Sequence, residues 1–146
     1  MDQTNNLMRP YALREGEGWT YRFGIDFTVK LGEAKGGSRA AIMEYVTKKG
    51  EEPGPHTHGN EDEIFYVLEG ALTFHCGGEG FDLVKGGFIF LPHDLEHSYT
   101  IHGQEPARLL IVTVSTIERS KDGWGGFVSD LELGQGELIS KPYGLP

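Results

Sequence analysis

The sequence predicts an all-β fold, built as a sandwich or barrel, and three observations carry that expectation. Short apolar runs recur at spacings of roughly 8 to 12 residues. Several alternate apolar and polar side chains, which is the period of a half-buried strand. Glycine punctuates them: the 146-residue chain holds 22, scattered between the runs, roughly twice the ordinary share and placed as turns would be.

The elements follow in order. IDFTVKL, residues 25–31, sets Ile25, Phe27, Val29 and Leu31 against Asp26, Thr28 and Lys30. GEAKGG turns the chain into RAAIMEYVT, and KKGEEPGP breaks it, because Pro53 and Pro55 cannot donate to a central ladder. After PHTHGNEDEIFYVLEG come ALTFHC, the CGGEG turn, FDLV, a KGG turn, FIFLP, HSYTI and RLLIVTVS. IFYVL and RLLIVTV are apolar on both parities and are expected to be buried on both faces. Phe65, Tyr66, Phe74, Phe88, Phe90 and Tyr99 are expected mostly to fill the interior.

One domain is expected over residues 1–146, with its core at about 38–116. Residues 1–18 are polar and show little periodicity. Residues 118–146 hold eight glycines and prolines and no convincing strand alternation. Both ends are expected to wrap the barrel or contact a partner subunit.

The net charge of −9 disfavours nucleic acid and anionic membrane as partners. Cys76 is the single cysteine, so an intrachain disulfide is ruled out and nothing argues for an oxidising compartment. The opening MDQTNNLMRP lacks the apolar stretch of a signal peptide, and no apolar run reaches the ~18 residues of a membrane span. A cytoplasmic location is the expectation.

The chemistry concentrates in PHTHGNEDE. Residues two apart on an extended chain share a face, with Cα atoms ~6.5 to 7 Å apart. His56 and His58 can therefore turn both imidazoles toward one point, and Glu63 returns a carboxylate beyond the GNED turn. Glu63 shares its parity with Phe65 and Val67, which predicts one inward face. Two imidazoles and a carboxylate suit a first-row divalent ion: Fe, Ni, Mn, Co, Cu or Zn. A pair of solvated histidines on a loop is the alternative. His75 beside Cys76 reads as packing, because neighbouring side chains point to opposite faces. His93 and His102, at strand ends, are expected to be exposed. Glu61 and Asp62 read as a solvated turn.

A second stretch, GGFIFLPHDLEHSYTI at 86–101, completes a pattern. Gly50, His56, His58, Glu63 and Gly70 fit the first motif of the cupins, G(X)5HXH(X)3-4E(X)6G, at every spacing. Gly86, Pro92 and His97 fall in register with the second, G(X)5PXG(X)2H(X)3N. Asp94 stands at the motif's glycine and Ile101 at its asparagine. Aspartate tolerates left-handed backbone, so the turn before His97 can survive. The sequence resembles a small single-domain cupin over roughly residues 38–116.

That resemblance implies a double-stranded β-helix, or jelly-roll barrel, with His56, His58, Glu63 and His97 meeting at one divalent metal. Phe65 and Tyr99 share parity with ligands and could line the cavity. DEIFYVLEG and GGFIFLPHDLEH look most like the quercetin dioxygenase-like branch. There a metal holds a deprotonated enolic or aromatic substrate, dioxygen adds and a carbon–carbon bond breaks. Carried over, Glu63 would also accept the substrate's proton, and the substrate would be a small flavonol- or diketone-like molecule. Two other functions stay open: a non-redox isomerase or lyase, and a non-enzymatic binder of small ligands. The central strands offer few cationic residues, which counts against phosphorylated substrates. The likeness also implies a homodimer.

Overall fold

The computed structural model describes residues 9–118 and 122–146. What is expected of the chain ends at residues 1–8 and 119–121 lies outside the described residues.

Among the described residues, ten strands form two antiparallel sheets. β1 (Trp19–Phe23), β2 (Ile25–Leu31), β3 (Ala40–Thr47), β4 (Glu61–Glu69), β7 (Phe88–Leu91), β9 (Ala107–Ser115) and β10 (Glu137–Ser140) make the larger, ordered β10-β1-β2-β3-β9-β4-β7. β5 (Ala71–Cys76), β6 (Glu79–Val84) and β8 (His97–Ile101) make the smaller, with β5 central. An α-helix, α1 (Gly123–Asp130), packs on the larger sheet at β3 and β9. The all-β expectation holds.

The alternation of β4 is the physical reason for this layering. Glu63, Phe65 and Val67 are all but fully buried, while Ile64, Tyr66 and Leu68 point outward. Period-2 geometry gives a strand two faces, and this sheet covers only one of them. The two sheets meet through aromatic rings: Phe65 lies 5.0 Å from Phe74 and 6.0 Å from Tyr99 between ring centroids. The Tyr45 and Tyr99 hydroxyls, 2.7 Å apart and buried, fasten β3 to β8. Gly70 makes the tight β4–β5 turn at φ 99°; a Cβ there would stand 2.8 Å from the Ala107 backbone.

One expectation needs correction. IFYVL and RLLIVTV are not buried on both faces: Tyr66 is 42% exposed, and Phe88 and Phe90 on the neighbouring strand are 58% and 50% exposed. Continuous apolar sequence removed the alternation that would have marked an open face. The C-terminal stretch also contains more order than its composition suggested. It holds α1, a wide turn at Leu131–Gln135, and β10, which pairs with β1. Val128 and Leu131 enter the core almost fully buried. Such a glycine-rich helix has poor intrinsic propensity, so tertiary packing and capping must hold it. β1 likewise went unread, its Trp19 and Tyr21 buried beside the more regular β2.

Candidate metal centre

The centre is assembled where three loop and strand ends meet. His56 precedes β4 in an extended loop and exchanges two backbone hydrogen bonds with His97: His56 N donates to His97 O at 3.0 Å, and His97 N to His56 O at 2.9 Å. That bridge joins the two motif halves. Asp94 sits in the left-handed region at φ 69°, as its motif position requires, and its amide donates to His58 O at 2.8 Å. β4 then supplies Glu63, and β8 begins with His97.

The four side chains converge. Among the described residues, His56, His58, Glu63 and His97 each offer a ligand atom, and these atoms all lie within 4.8 Å of one another. The imidazole centroids are 4.4 to 5.2 Å apart. His58 Nε2 stands 3.1 Å from Glu63 Oε1, and His97 Nε2 stands 3.2 Å from Glu63 Oε2. These separations are short, but their orientation does not make hydrogen bonds. His58 Nε2, His97 Nε2 and both Glu63 oxygens are buried with no hydrogen-bond partner. Buried polar atoms left unsatisfied cost about 1 to 3 kcal/mol each, so four aimed at one point require an explanation.

A divalent ion would supply one. Metal–ligand bonds near 2.1 Å place neighbouring ligand atoms about 3 Å apart, which agrees with the separations found. The other imidazole nitrogens are already engaged. His56 Nδ1 donates to Gly54 O at 2.6 Å, His97 Nδ1 to Leu95 O at 3.3 Å, and His58 Nδ1 to Asp122 Oδ1 at 3.3 Å. Each of these bonds fixes the tautomer that leaves Nε2 as a lone pair facing the centre. The cluster is therefore able to hold a metal.

Electrostatics agree. Burial would raise the Glu63 carboxyl, but the adjacent His58 and His97 imidazoles pull it down to about 2. The Glu63 carboxylate in turn raises His58 against the cost of its burial. A carboxylate held ionised among imidazoles is the charge that a bound cation would neutralise.

The structure adds residues that spacing did not reveal. Glu61 is 2% exposed, not a solvated turn residue. Its carboxylate accepts from the Trp124 and Gly125 amides at 2.8 and 2.9 Å, capping the first turn of α1. Glycines at 123 and 125 allow that approach, since a Cβ at either would lie 2.2 or 2.7 Å from a Glu61 oxygen. Burial pushes the Glu61 carboxyl up to about 7, with the Glu63 charge adding and the amide donors opposing. Asp122 caps α1 through Gly123 N, holds His58, and accepts from Gly59 N and Asn60 N. Trp124 then packs on Tyr45 with centroids 5.6 Å apart. Only an Asp ahead of a short apolar run hinted at this helix.

The remaining singled-out residues are placed plainly. Phe65 packs among Phe74 and Tyr99, and Tyr99 spends its hydroxyl on Tyr45. His75 and His102 are exposed, and Cys76, next to His75 in the chain, is buried. His93 is exposed and bonds Asp62, Nδ1 to Oδ1 at 2.8 Å.

An antiparallel double-sheet barrel with three histidines and one glutamate gathered at one end defines a class of small barrel proteins able to hold a metal. Residues 43–113 match the cupin domain family, and by this match and its fold the chain carries a cupin domain. It is 32% identical over 108 residues to the quercetin 2,3-dioxygenase of Bacillus subtilis strain 168, covering 72% of this chain and 31% of that protein. It is 33% identical over 82 residues to the polyketide synthase CurC of Streptomyces cyaneus, covering 56% of this chain and 51% of that one. The chain thus spans between 31% and 59% of the curated relatives it matches. Among solved structures, a predicted oxalate decarboxylase from Thermotoga maritima aligns with TM-score 0.62 at 24% identity, over 72% of this chain and 99% of that one. KdgF from Halomonas sp. aligns with TM-score 0.59 at 22% identity, over 77% and 97%. At these identities the structures speak for the fold alone. No helix among the described residues is long and apolar enough to cross a membrane.

Proposed function

We propose that this protein is a metal-dependent cupin enzyme of the dioxygenase type, acting on a small enolic or aromatic substrate of flavonol or diketone character. One observation carries the reading: His58 Nε2, His97 Nε2 and both Glu63 oxygens are buried with no hydrogen-bond partner, and His56 offers a further ligand atom within 4.8 Å of this group. His56, His58, Glu63 and His97 would hold the ion. A divalent metal bound there supplies Lewis acidity, and for a redox-active metal electron transfer to dioxygen. Three neutral imidazoles and one carboxylate leave a formal charge of +1, which favours an anionic oxygen such as an enolate or phenolate. The apolar barrel strengthens that preference by excluding water.

The chain's own residues have separable tasks. The Nδ1 bonds to Gly54, Leu95 and Asp122 orient the imidazoles. Phe65 and Tyr99, two residues along their strands from Glu63 and His97 and on the same faces, would bound the space an aromatic substrate enters. Glu63 would take the proton from the substrate hydroxyl onto a carboxylate oxygen. Without the ion the adjacent imidazoles hold its carboxyl low; a carboxylate turned away from them and from a bound cation would regain basicity. The similarity to a quercetin 2,3-dioxygenase favours this chemistry over an isomerase or lyase using the same ligands.

Oxygen uptake and product analysis on a panel of flavonols and 1,3-diketones, with the protein loaded separately with each candidate metal, tests the reading. Oxygen consumed in step with substrate supports it. Substrate converted under strict anaerobiosis points to the non-redox reading. Metal bound with no conversion of any panel member defeats both.

A further inference from the structure

We propose that Glu52 is a positioning residue for His56, acting through the loop between them; the inference rests on the metal reading of the site. Glu63 and His97 lie on β4 and β8, whereas His56 hangs on the loop that follows β3. Its imidazole is oriented by a carbonyl of that same loop, Gly54 O, 2.6 Å from Nδ1. Whatever fixes the loop therefore fixes the ring.

The loop is fastened along an open edge. β8 borders the smaller sheet, ordered β6-β5-β8. His102 N, just past β8, turns to Ala71 O on the β5 side at 2.9 Å, so the alternate amides of His97 and Ile101 face the free edge. The loop covers both. His97 N donates to His56 O at 2.9 Å, and Ile101 N donates to Glu52 Oε2 at 3.1 Å. Pro53 and Pro55 bring no N–H, so the stretch between these anchors cannot pair as a full strand. A side chain makes the second anchor instead.

The anchor is firm. Glu52 Oε1 accepts from Gly50 N at 2.6 Å, which ties the carboxylate back to its own turn. Burial works to raise this carboxyl, but the amides of Glu52, Ile101 and Gly50 hold it below the usual carboxylate range. Amide bonds to an ionised carboxylate are about twice as strong as neutral ones. Beyond Glu52 the chain runs Pro53-Gly54-Pro55, and both prolines fix φ. A clasp at Glu52 is thus passed to the Gly54 carbonyl with little slack. The same contact answers a departure from the cupin pattern. Ile101 stands where the second motif has asparagine, and Glu52, from within the first motif, brings a polar group to that position.

Cu(II) binding by the full-length protein, read by competition with a chelator and by pulsed EPR, tests this. Pulsed EPR reports the non-coordinating nitrogen of each bound imidazole, so it senses the Nδ1 bond of His56, which a merely structural clasp would leave alone. Glu52→Ala is expected to lower affinity ~10- to 100-fold and to shift the signal of one imidazole. Glu52→Gln keeps one acceptor oxygen and gives up the other. It is expected between wild type and the alanine variant, and it decides alone if the alanine variant does not fold. Glu51→Ala removes a neighbouring exposed carboxylate that accepts from Lys48 N at 2.9 Å, and it is expected to match wild type. Wild-type affinity with an unshifted imidazole signal in the folded Glu52 variants overturns the proposal, as does an equal loss in Glu51→Ala. A wild type that takes up no Cu(II) overturns the metal reading itself, and this inference with it.

Discussion

The four converging side chains and the residues that steady them make an instructive pair of regions. The ligands come from two compact stretches, residues 56–63 and residue 97, joined by the reciprocal His56–His97 backbone bridge. Their supports come from far along the chain: Asp122 reaches His58, and Glu61 is fixed by the first amides of α1. Ligand groups must share a point and a face, so their spacing is constrained. A support needs only one acceptor at one nitrogen, and any part of the chain that folds past can supply it.

The sharpest way to break the comparison is to remove a ligand. His97→Ala takes one imidazole from a four-ligand set and leaves Glu63 Oε2 facing a void. Metal affinity is expected to fall by at least ~1,000-fold, a loss beyond the range of a supporting residue. Elemental analysis after dialysis, with circular dichroism to confirm the fold, reads it. Asp122→Asn should be milder. It removes the charge behind His58 but leaves every ligand, so a loss of ~10- to 100-fold in affinity is expected by competition with a chromogenic chelator. An unchanged affinity would show that the tautomer of His58 is set by the metal alone.

Glu61→Ala sharpens the comparison from the other side, because it acts on the helix before it acts on the metal. Two amides at the start of α1 lose a buried carboxylate, at an expected cost of about 2 to 4 kcal/mol in chemical denaturation. Metal affinity should follow only to the extent that Asp122 moves with the helix. Acidification gives the smallest and most graded effect. An imidazole must be neutral to bind, so lowering pH releases the ion. Glu63 raises His58, so release is expected to begin above the ordinary imidazole pKa of ~6.5. A metal-binding titration against pH checks this; occupancy that is flat down to about pH 5 would contradict it.

The outer and inner faces of β4 repeat the lesson. Glu63, Phe65 and Val67 were legible as one face from parity. Tyr66 and its neighbours on β7 were not legible as exposed, because apolar residues on both parities look the same whether the second face is covered or open. The C-terminal helix was obscured by its own glycines. Gly123 and Gly125 lower helix propensity, yet they are what lets Glu61 approach the backbone.

The sequence by itself determined the all-β fold, most of the core strands along the chain and the His56, His58 and Glu63 cluster, and its likeness to the cupin motifs added His97. The strands and the cluster are written in local spacing, and period-2 geometry turns spacing directly into direction. Only the tertiary structure decided which acceptors hold the imidazoles, why a buried glutamate at 61 belongs to a helix, and which apolar face stays open. Those outcomes depend on segments remote in sequence arriving side by side, and no local pattern encodes what a neighbour from the far end of the chain will bring.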